Sequence, residues 1–256
     1  MRLLTDLDAL FVDAGGVLLL PRPGPLQVIL APWGRPSPHQ LDRAHYQAMA
    51  AYDRATPSRR GAAYRQAFLD ALGIPPERAD ALLAAAFSRG IAWDRPIADS
   101  VWALIRLSRQ GLPIVVVSNT DRGDVARRLR DAGVCQVGPG PGAPVTAVID
   151  SLVVGAAKPD PRIFALARQV LGGRAERILH IGDSIYHDVE GARAAGLAAV
   201  HFDPHRLCRR TDHPHLRRLS DLVVLRPAAG RLHGHHPTAP QGWTTGSARV
   251  SPTRAS

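Results

Sequence analysis

The sequence predicts an α/β fold in which an all-helical segment is inserted after the first strand of a mostly parallel sheet. From residue 97 to residue 225, short apolar runs typical of buried strands alternate with amphipathic helical segments. Between residues 39 and 90 the chain is alanine-rich and has helical periodicity only. With 256 residues, 45% of them hydrophobic, the chain is long enough to bury one large core and a small insertion.

The first third of the chain is predicted to hold one strand and the helical insertion. Leu7–Asp13 is a short apolar run suited to a buried strand. Residues 21–38 are rich in proline and glycine, which predicts an irregular connection. Three alanine-rich helices are predicted next, at Leu41–Tyr52, Ala62–Leu72 and Pro76–Phe87.

The rest of the chain alternates between the two element types, which predicts βαβ units and a parallel sheet. The predicted helices are Ile97–Arg109, Asp124–Ala132, Arg162–Leu171 and Asp188–Ala195. The predicted strands are Pro113–Val117, Val145–Ile149, Ile178–Ile181, Ala198–Phe202 and Asp221–Leu225. Residues 1–20 and 96–226 therefore form the expected core, residues 21–95 a helical cap, and the aperiodic residues 227–256 a disordered tail. The tail histidines His233, His235 and His236 are expected to be solvated rather than metal-bound.

Composition excludes several classes of protein. The net charge of +10 comes from scattered arginines with few aromatic residues, so no nucleic-acid partner is expected. No apolar run has transmembrane length and no basic-then-apolar leader is visible, so no membrane partner is expected. Cys135 and Cys208 show neither metal-ligand spacing nor a disulfide framework, which favours a cytoplasmic location. The oligomeric state is not predicted.

Polar residues gather where the predicted parallel strands end, which is where such sheets bind ligands. One of them, Lys158, is the single lysine among 32 basic residues. Because a compact ammonium differs from a planar guanidinium, this position is expected to need what arginine cannot supply. The set combines carboxylates, a hydroxyl, an amide and an ammonium, which suits a divalent cation, an anionic substrate and a carboxylate nucleophile. Its members are Asp13, Ser118, Asn119, Lys158, Asp183 and Asp188.

Four segments resemble, in order, the four motifs of the haloacid dehalogenase (HAD) superfamily. They read FVDAGGVL, VVVSNTD, GAAKPDPRIF and HIGDSIYHDVEGARAAG. The resemblance covers residues 7–226 and implies a Rossmann-like, doubly wound core with a small helical C1-type cap. It also implies a hydrolase, most often a phosphatase, that uses Mg²⁺ and acts on a small phosphorylated substrate.

The resemblance further implies a role for each motif residue. Asp13 would be the nucleophile that forms an aspartyl-phosphate, and Ser118, with Asn119 beside it, would hold the phosphoryl oxygens. Lys158 would neutralise charge on the nucleophile and the phosphate. Mg²⁺ would be bound by Asp13, Asp183 and the backbone carbonyl of Gly15. Asp188 would support the lysine or a metal-bound water, although a helix N-cap role is also open to it.

Gly15 departs from the family pattern, because family phosphatases carry an aspartate there as general acid and base. General acid–base catalysis contributes about 10²–10⁴-fold in rate. Three interpretations stay open. The first is a phosphatase that is slow, takes its acid from the cap, or acts on substrates with good leaving groups. The second is a dehalogenase-like hydrolase that attacks carbon, and the third is a non-catalytic protein that binds a phosphorylated ligand.

Two further groups of residues receive no catalytic role from their spacing. Four cap residues could approach a substrate, namely His39, Asp42, His45 and Asp53. His180 alternates along a strand and is expected to be a structural histidine, and His187 is expected to face solvent.

Overall fold

A six-stranded parallel sheet forms the centre of the computed structural model, which describes residues 7–88, 93–172 and 175–225. The mostly parallel α/β fold predicted from the sequence is confirmed. In spatial order the strands are β10 (His215–Leu216), β9 (Ala198–Phe202), β8 (Ile178–Gly182), β1 (Ala9–Val12), β4 (Ile114–Ser118) and β7 (Ala147–Asp150).

The strand β1 lies between β8 and β4, and all four of its residues are buried. Val12 pairs with Ile181 on one side and with Val116 on the other. Leu10 and Val12 belong to the hydrophobic cluster on one face of the sheet, while Phe11 belongs to the cluster on the other face. A strand that is apolar on both faces is what a doubly covered parallel sheet requires.

Helices cover both faces of this sheet. They are α5 (Ala98–Arg109), α6 (Val125–Asp131), α7 (Ser151–Val154), α8 (Pro161–Gln169), α9 (Gly191–Ala194) and α10 (Asp221–Leu225). A wide turn with π-helical hydrogen bonding, Ile185–Glu190, directly precedes α9. A short parallel pair, β5 (Cys135–Val137) and β6 (Ala143–Val145), extends from the core near α6.

The segment inserted after β1 is helical and has its own hydrophobic cluster, which includes Leu30, Phe68, Leu69 and Leu83. We call this segment the cap. Its helices are α1 (Pro23–Leu30), α2 (Pro38–Arg54), α3 (Arg60–Ala71) and α4 (Pro76–Ser88), with 3₁₀ turns at Ala31–Trp33 and Pro57–Arg59. The antiparallel strands β2 (Leu19–Pro21) and β3 (Trp93–Pro96) pair where the chain enters and leaves the cap. The predicted boundaries after residues 20 and 95 fall in this ribbon and stay a prediction.

Two secondary-structure predictions are wrong. Residues 21–38 contain the helix α1 and a 3₁₀ turn, because Pro23 occupies the first position of α1, where a missing N–H costs no hydrogen bond. Asp221–Leu225 is a helix rather than a strand, since periodicity cannot distinguish the two in so short an apolar run. The predicted tail, residues 227–256, lies outside the described residues. No helix in the described part of the chain is long and apolar enough to span a membrane.

The two glycines after Asp13 differ in their surroundings. Gly16 has a φ of +67°, and a Cβ added there would overlap the carboxylate of Asp183. A Cβ added at Gly15 would meet only the Trp93 ring, at 3.6 Å, which is an ordinary contact. Gly16 is therefore required by both its backbone conformation and the close approach of Asp183.

We expect Gly16→Ala to lower the free energy of unfolding by about 2 kcal/mol or more, because a left-handed conformation and a steric overlap both oppose the methyl group. The matched variant Gly15→Ala should change it by less than about 1 kcal/mol. Urea unfolding of both variants measures the difference. Equal unfolding midpoints for the two variants would contradict this account of the turn.

Candidate active site

The residues predicted from the sequence lie at one edge of the sheet. Asp13 follows β1, Ser118 ends β4, and Asp183 follows β8. These three strands are neighbours in register, so their carboxyl ends meet at the same place. Ser118 and Asp183 are buried.

Lys158 lies between two carboxylates. Its Nζ is 3.0 Å from Oδ1 of Asp13 and 2.6 Å from Oδ1 of Asp188. The ammonium is buried, which by itself disfavours its charge, but the two carboxylates overcome this and raise the pKa of Lys158. Lys158 is therefore a fixed positive charge beside Asp13.

The Asp188 carboxylate accepts hydrogen bonds from the strand β8 and from the start of the turn that follows it. Besides Lys158, its carboxylate contacts His180 Nε2 at 2.8 Å and the backbone N–H of Ser184 at 3.1 Å. Burial opposes ionisation, but Lys158 and His180 outweigh it and hold the pKa of Asp188 well below its usual value. The N-cap role left open for Asp188 is wrong, because the cap of this turn is Ser184.

The backbone of Lys158 is fixed by two side chains. The Asn119 amide donates to the Lys158 carbonyl and accepts from its N–H, both at 2.8 Å. His187 Nδ1 lies 2.7 Å from the same carbonyl, and its Nε2 lies 2.8 Å from the Tyr52 hydroxyl. The prediction that His187 faces solvent is therefore wrong.

Three carboxylates come together beside this lysine. Oxygen atoms of Asp13, Asp183 and Asp188 lie within 4.8 Å of one another. Burial raises the pKa of Asp13; the nearby Asp188 and Asp183 add to this increase, while Lys158 opposes it. A cluster of hard oxygen donors with unbalanced negative charge fits Mg²⁺. Asp13 and Asp183 are the better donors, since both oxygens of Asp188 already accept hydrogen bonds, one from Lys158 and His180 and the other from the Ser184 N–H.

The helix α2 of the cap reaches into the site, which the spacing of its residues did not predict. His45 is 1% exposed, and its Nε2 lies 3.0 Å from Oδ2 of Asp183. The Tyr46 hydroxyl donates to the Gly16 carbonyl at 2.6 Å. Asp53 accepts from the Ser184 hydroxyl at 2.6 Å and from the Ile185 N–H at 2.7 Å. The one available signal was that positions 45, 46 and 53 share a helix face.

The other two cap candidates do not touch these carboxylates. Asp42 pairs with Arg95 of β3, and the His39 ring packs edge-on against His205. Above Gly15 lies the indole of Trp93, whose ring centre is 5.1 Å from that of His45. No positive φ restricts Gly15.

The sequence that contains these residues matches a known family. A sequence model of the haloacid dehalogenase-like hydrolases matches residues 7–196. The chain belongs to this family. The resemblance stated from the four motifs is thus confirmed, and the chain is a HAD-type hydrolase.

Several curated proteins resemble this chain over part of their length. Phosphoserine phosphatase from Thermus thermophilus is 34% identical over 141 residues, which are 55% of this chain and 53% of that protein. Phosphatase MT3486 from Mycobacterium tuberculosis is 32% identical over 145 residues, which are 57% of this chain and 59% of that protein. The chain thus spans about half the length of these relatives.

Solved structures resemble this chain over a larger share of its length than the curated proteins do. The HAD-hydrolase YfnB from Bacillus subtilis, described as bound to magnesium, gives a TM-score of 0.58 at 18% identity and covers 86% of this chain and 99% of its own. The 2-haloacid dehalogenase from Pseudomonas syringae gives a TM-score of 0.50 at 19% identity, with 86% and 99% covered. At these identities the likeness establishes the fold alone.

Proposed function

We propose that this HAD-type hydrolase is a Mg²⁺-dependent phosphatase that acts on a small phosphorylated substrate through Asp13. The observation that carries the proposal is the row Asp13–Lys158–Asp188 beside Asp183. Lys158 and Asp188 are buried and Asp13 is partly buried, with Lys158 at 3.0 Å and 2.6 Å from the two carboxylates. Phosphoryl transfer depends mainly on positioning and on neutralising charge, and this row offers a nucleophile and a fixed cation together.

Each side chain then has a task in the proposed reaction. The Asp13 carboxylate attacks phosphorus and forms the aspartyl-phosphate, while the bond from phosphorus to the leaving group breaks and that group departs as an anion that takes its proton from solvent. Water then attacks the aspartyl-phosphate, which releases inorganic phosphate and restores Asp13. Lys158 favours the ionised form of Asp13, against the effect of burial, and neutralises the phosphoryl oxygens during the attack. Ser118 binds one of those oxygens, while Asn119 holds the backbone of Lys158 in place. Asp188 positions the ammonium.

The metal site proposed here consists of Asp13, Asp183 and the backbone carbonyl of Gly15, all of which are hard oxygen ligands. When bound, Mg²⁺ supplies positive charge that stabilises the phosphoryl oxygens. His45 contacts Oδ2 of Asp183 and so orients this carboxylate from the cap.

Gly15 narrows the class of substrate. Without a carboxylate at this position, the site has no acid there to protonate a leaving alkoxide. Acyl phosphates and aryl phosphates need little protonation, because their leaving groups depart as stable anions. We infer that they phosphorylate Asp13 much faster than alkyl phosphates do and therefore have a higher kcat/KM.

A dehalogenase reaction suits the site less well. A 2-haloacid carries its own carboxylate, and the site already contains those of Asp13, Asp183 and Asp188 within 4.8 Å of one another. Like charges at this distance repel strongly when they are partly buried. A bound cation would relieve this repulsion for either anion, but only phosphoryl transfer uses the charge of the cation on the transferred group, whereas displacement of halide from carbon does not.

Activity measured on acetyl phosphate, p-nitrophenyl phosphate and 2-chloropropionate, with and without Mg²⁺, tests the proposal. We expect Mg²⁺-dependent hydrolysis of the two phosphates and no dechlorination of 2-chloropropionate.

Asp13→Asn should abolish the hydrolysis of both phosphates. Lys158→Arg should lower kcat by about 10²-fold or more, because a guanidinium cannot reproduce the two contacts of the ammonium. Asp183→Asn should weaken Mg²⁺ binding in calorimetry. The exposed Asp131→Asn is the control and should retain wild-type activity.

Two results would overturn this proposal. Dechlorination of 2-chloropropionate without metal would favour attack on carbon. Tight phosphate binding without turnover of either phosphate would favour a non-catalytic binding protein.

A carboxylate restored at position 15 should raise the hydrolysis of alkyl phosphates selectively. We expect Gly15→Asp to raise kcat/KM for glycerol 2-phosphate by about 10- to 10⁴-fold and to change that for p-nitrophenyl phosphate far less. An added Cβ fits there without displacing any neighbour, since the nearest atom to it is in Trp93 at 3.6 Å. Gly15→Asn, which has the same size and no titratable proton, is the matched control. A folded Gly15→Asp variant without this selective gain would show that the missing acid does not limit the site.

A further inference from the structure

Three histidines and a cysteine lie close together at the edge of the sheet that is formed by β10 and β9. His201 lies on β9 and His215 on β10, where the two residues pair in register. Cys208 and His213 lie in the loop that joins these strands. One ligand atom from each of the four lies within 4.8 Å of the others. We call these four residues the His–Cys cluster.

Two distances within the cluster match those of a tetrahedral zinc site, and every other pair of ligand atoms lies within 4.8 Å. His213 Nε2 lies 3.4 Å from His201 Nδ1 and 3.6 Å from Cys208 Sγ. Zn–N bonds of 2.0–2.1 Å and a Zn–S bond of 2.3 Å at a tetrahedral angle separate two nitrogens by about 3.3–3.4 Å, and a nitrogen from a sulfur by about 3.6 Å. Both separations agree.

The hydrogen bonds around the cluster turn two nitrogen lone pairs toward each other. His201 Nε2 donates to the Asp183 carbonyl at 3.2 Å, and His213 Nδ1 donates to the Asp212 carboxylate at 3.1 Å. Because these partners only accept, His201 Nδ1 and His213 Nε2 both carry lone pairs. The single thiol proton of Cys208 cannot satisfy both nitrogens.

Hydrogen bonds within the loop between β9 and β10 hold Cys208 in place. Asp203, which is buried, accepts hydrogen bonds from the backbone N–H groups of Leu207 and Cys208, both at 2.9 Å. Cys208 and His213 are therefore held against His201. Because His215 is exposed, a metal ion can reach the cluster from solvent. The carboxylate of Asp212 on His213 is the kind of outer partner that orients a metal-bound histidine.

We propose that His201, Cys208, His213 and His215 bind one Zn²⁺ ion, separate from the magnesium site proposed above. Imidazole and thiolate donors select zinc over magnesium, whereas the carboxylates around Asp13 do the reverse. The bound ion would close the loop between β9 and β10, which lines a cavity of about 350 Å³ together with Asp183, Tyr46 and Asp53. Through His201 it would also fix the backbone carbonyl of Asp183.

The proposal assigns Cys208 to a metal site, although the sequence shows no metal-ligand spacing for either cysteine. Its ligand spacing, 201, 208, 213 and 215, lacks the close cysteine pairs by which zinc motifs are recognised. Only the pairing of β9 with β10 brings the first and the last ligand together.

Metal analysis of the full-length protein tests the proposal. After dialysis against excess Mg²⁺, we expect about one zinc per wild-type chain by mass spectrometry of the elements, and less than a tenth of that in Cys208→Ser and His213→Gln. Cys135→Ser and Asp183→Asn should keep their zinc, because neither residue is in the cluster. The variant with His233, His235 and His236 all changed to alanine should keep it too, which separates the cluster from the tail.

Cobalt substitution provides a second reading that does not depend on stability. Co²⁺ bound to the wild type should show a thiolate-to-cobalt charge-transfer band and intense tetrahedral absorption, and the charge-transfer band should vanish in Cys208→Ser. If that variant does not fold, His215→Ala, at an exposed position, should still lower the affinity for zinc.

Two results would overturn the proposal. One is a wild type that binds no zinc when given an equimolar amount, which would make the cluster a hydrogen-bonded network. The other is zinc that only the tail variant loses. Zinc content is measured without any substrate, so failure of the proposed phosphatase activity would leave this result unaffected.

Discussion

The candidate site depends on one buried ammonium, that of Lys158. Two carboxylates within 3.0 Å make its burial possible, and in turn it makes theirs possible, since an unpaired buried charge costs several kcal/mol. The contact joins three parts of the fold, namely the end of β1, the start of α8 and the turn after β8. These three parts must lie next to one another for the contact to form. The contact therefore also fixes the positions of Asp13 and Asp183, on which the proposed chemistry depends.

The cap contributes polar contacts rather than an apolar lid at this edge. His45 reaches Asp183, Tyr46 reaches the Gly16 carbonyl, and Asp53 binds the turn that contains Ser184. Such contacts are directional, so they orient the cap on the core. The proposed zinc site lies behind the same aspartate, which is thus supported from the cap and from the sheet edge.

The sequence predicted the sheet and the strand-end residues because both follow from local rules. Buried parallel strands are short apolar runs, and ligands bind where such strands end. The same rules could not reveal His45, because its partner Asp183 is 138 residues away and one histidine on a helix has no characteristic spacing. The His–Cys cluster was missed for the same reason, and α1 because proline marks helix starts as well as loops.

The most direct test of the account is whether phosphate becomes bound to Asp13. Wild-type protein mixed with acetyl phosphate and Mg²⁺, quenched in acid and digested, is analysed by mass spectrometry. We expect a phosphorylated peptide that contains Asp13, loses its phosphoryl group to hydroxylamine and is absent from Asp13→Asn. It should accumulate, because Gly15 provides no base to activate the water that removes the phosphoryl group. Phosphate release with an unmodified Asp13 peptide at every time point, or with the phosphoryl group on another residue, would contradict the account.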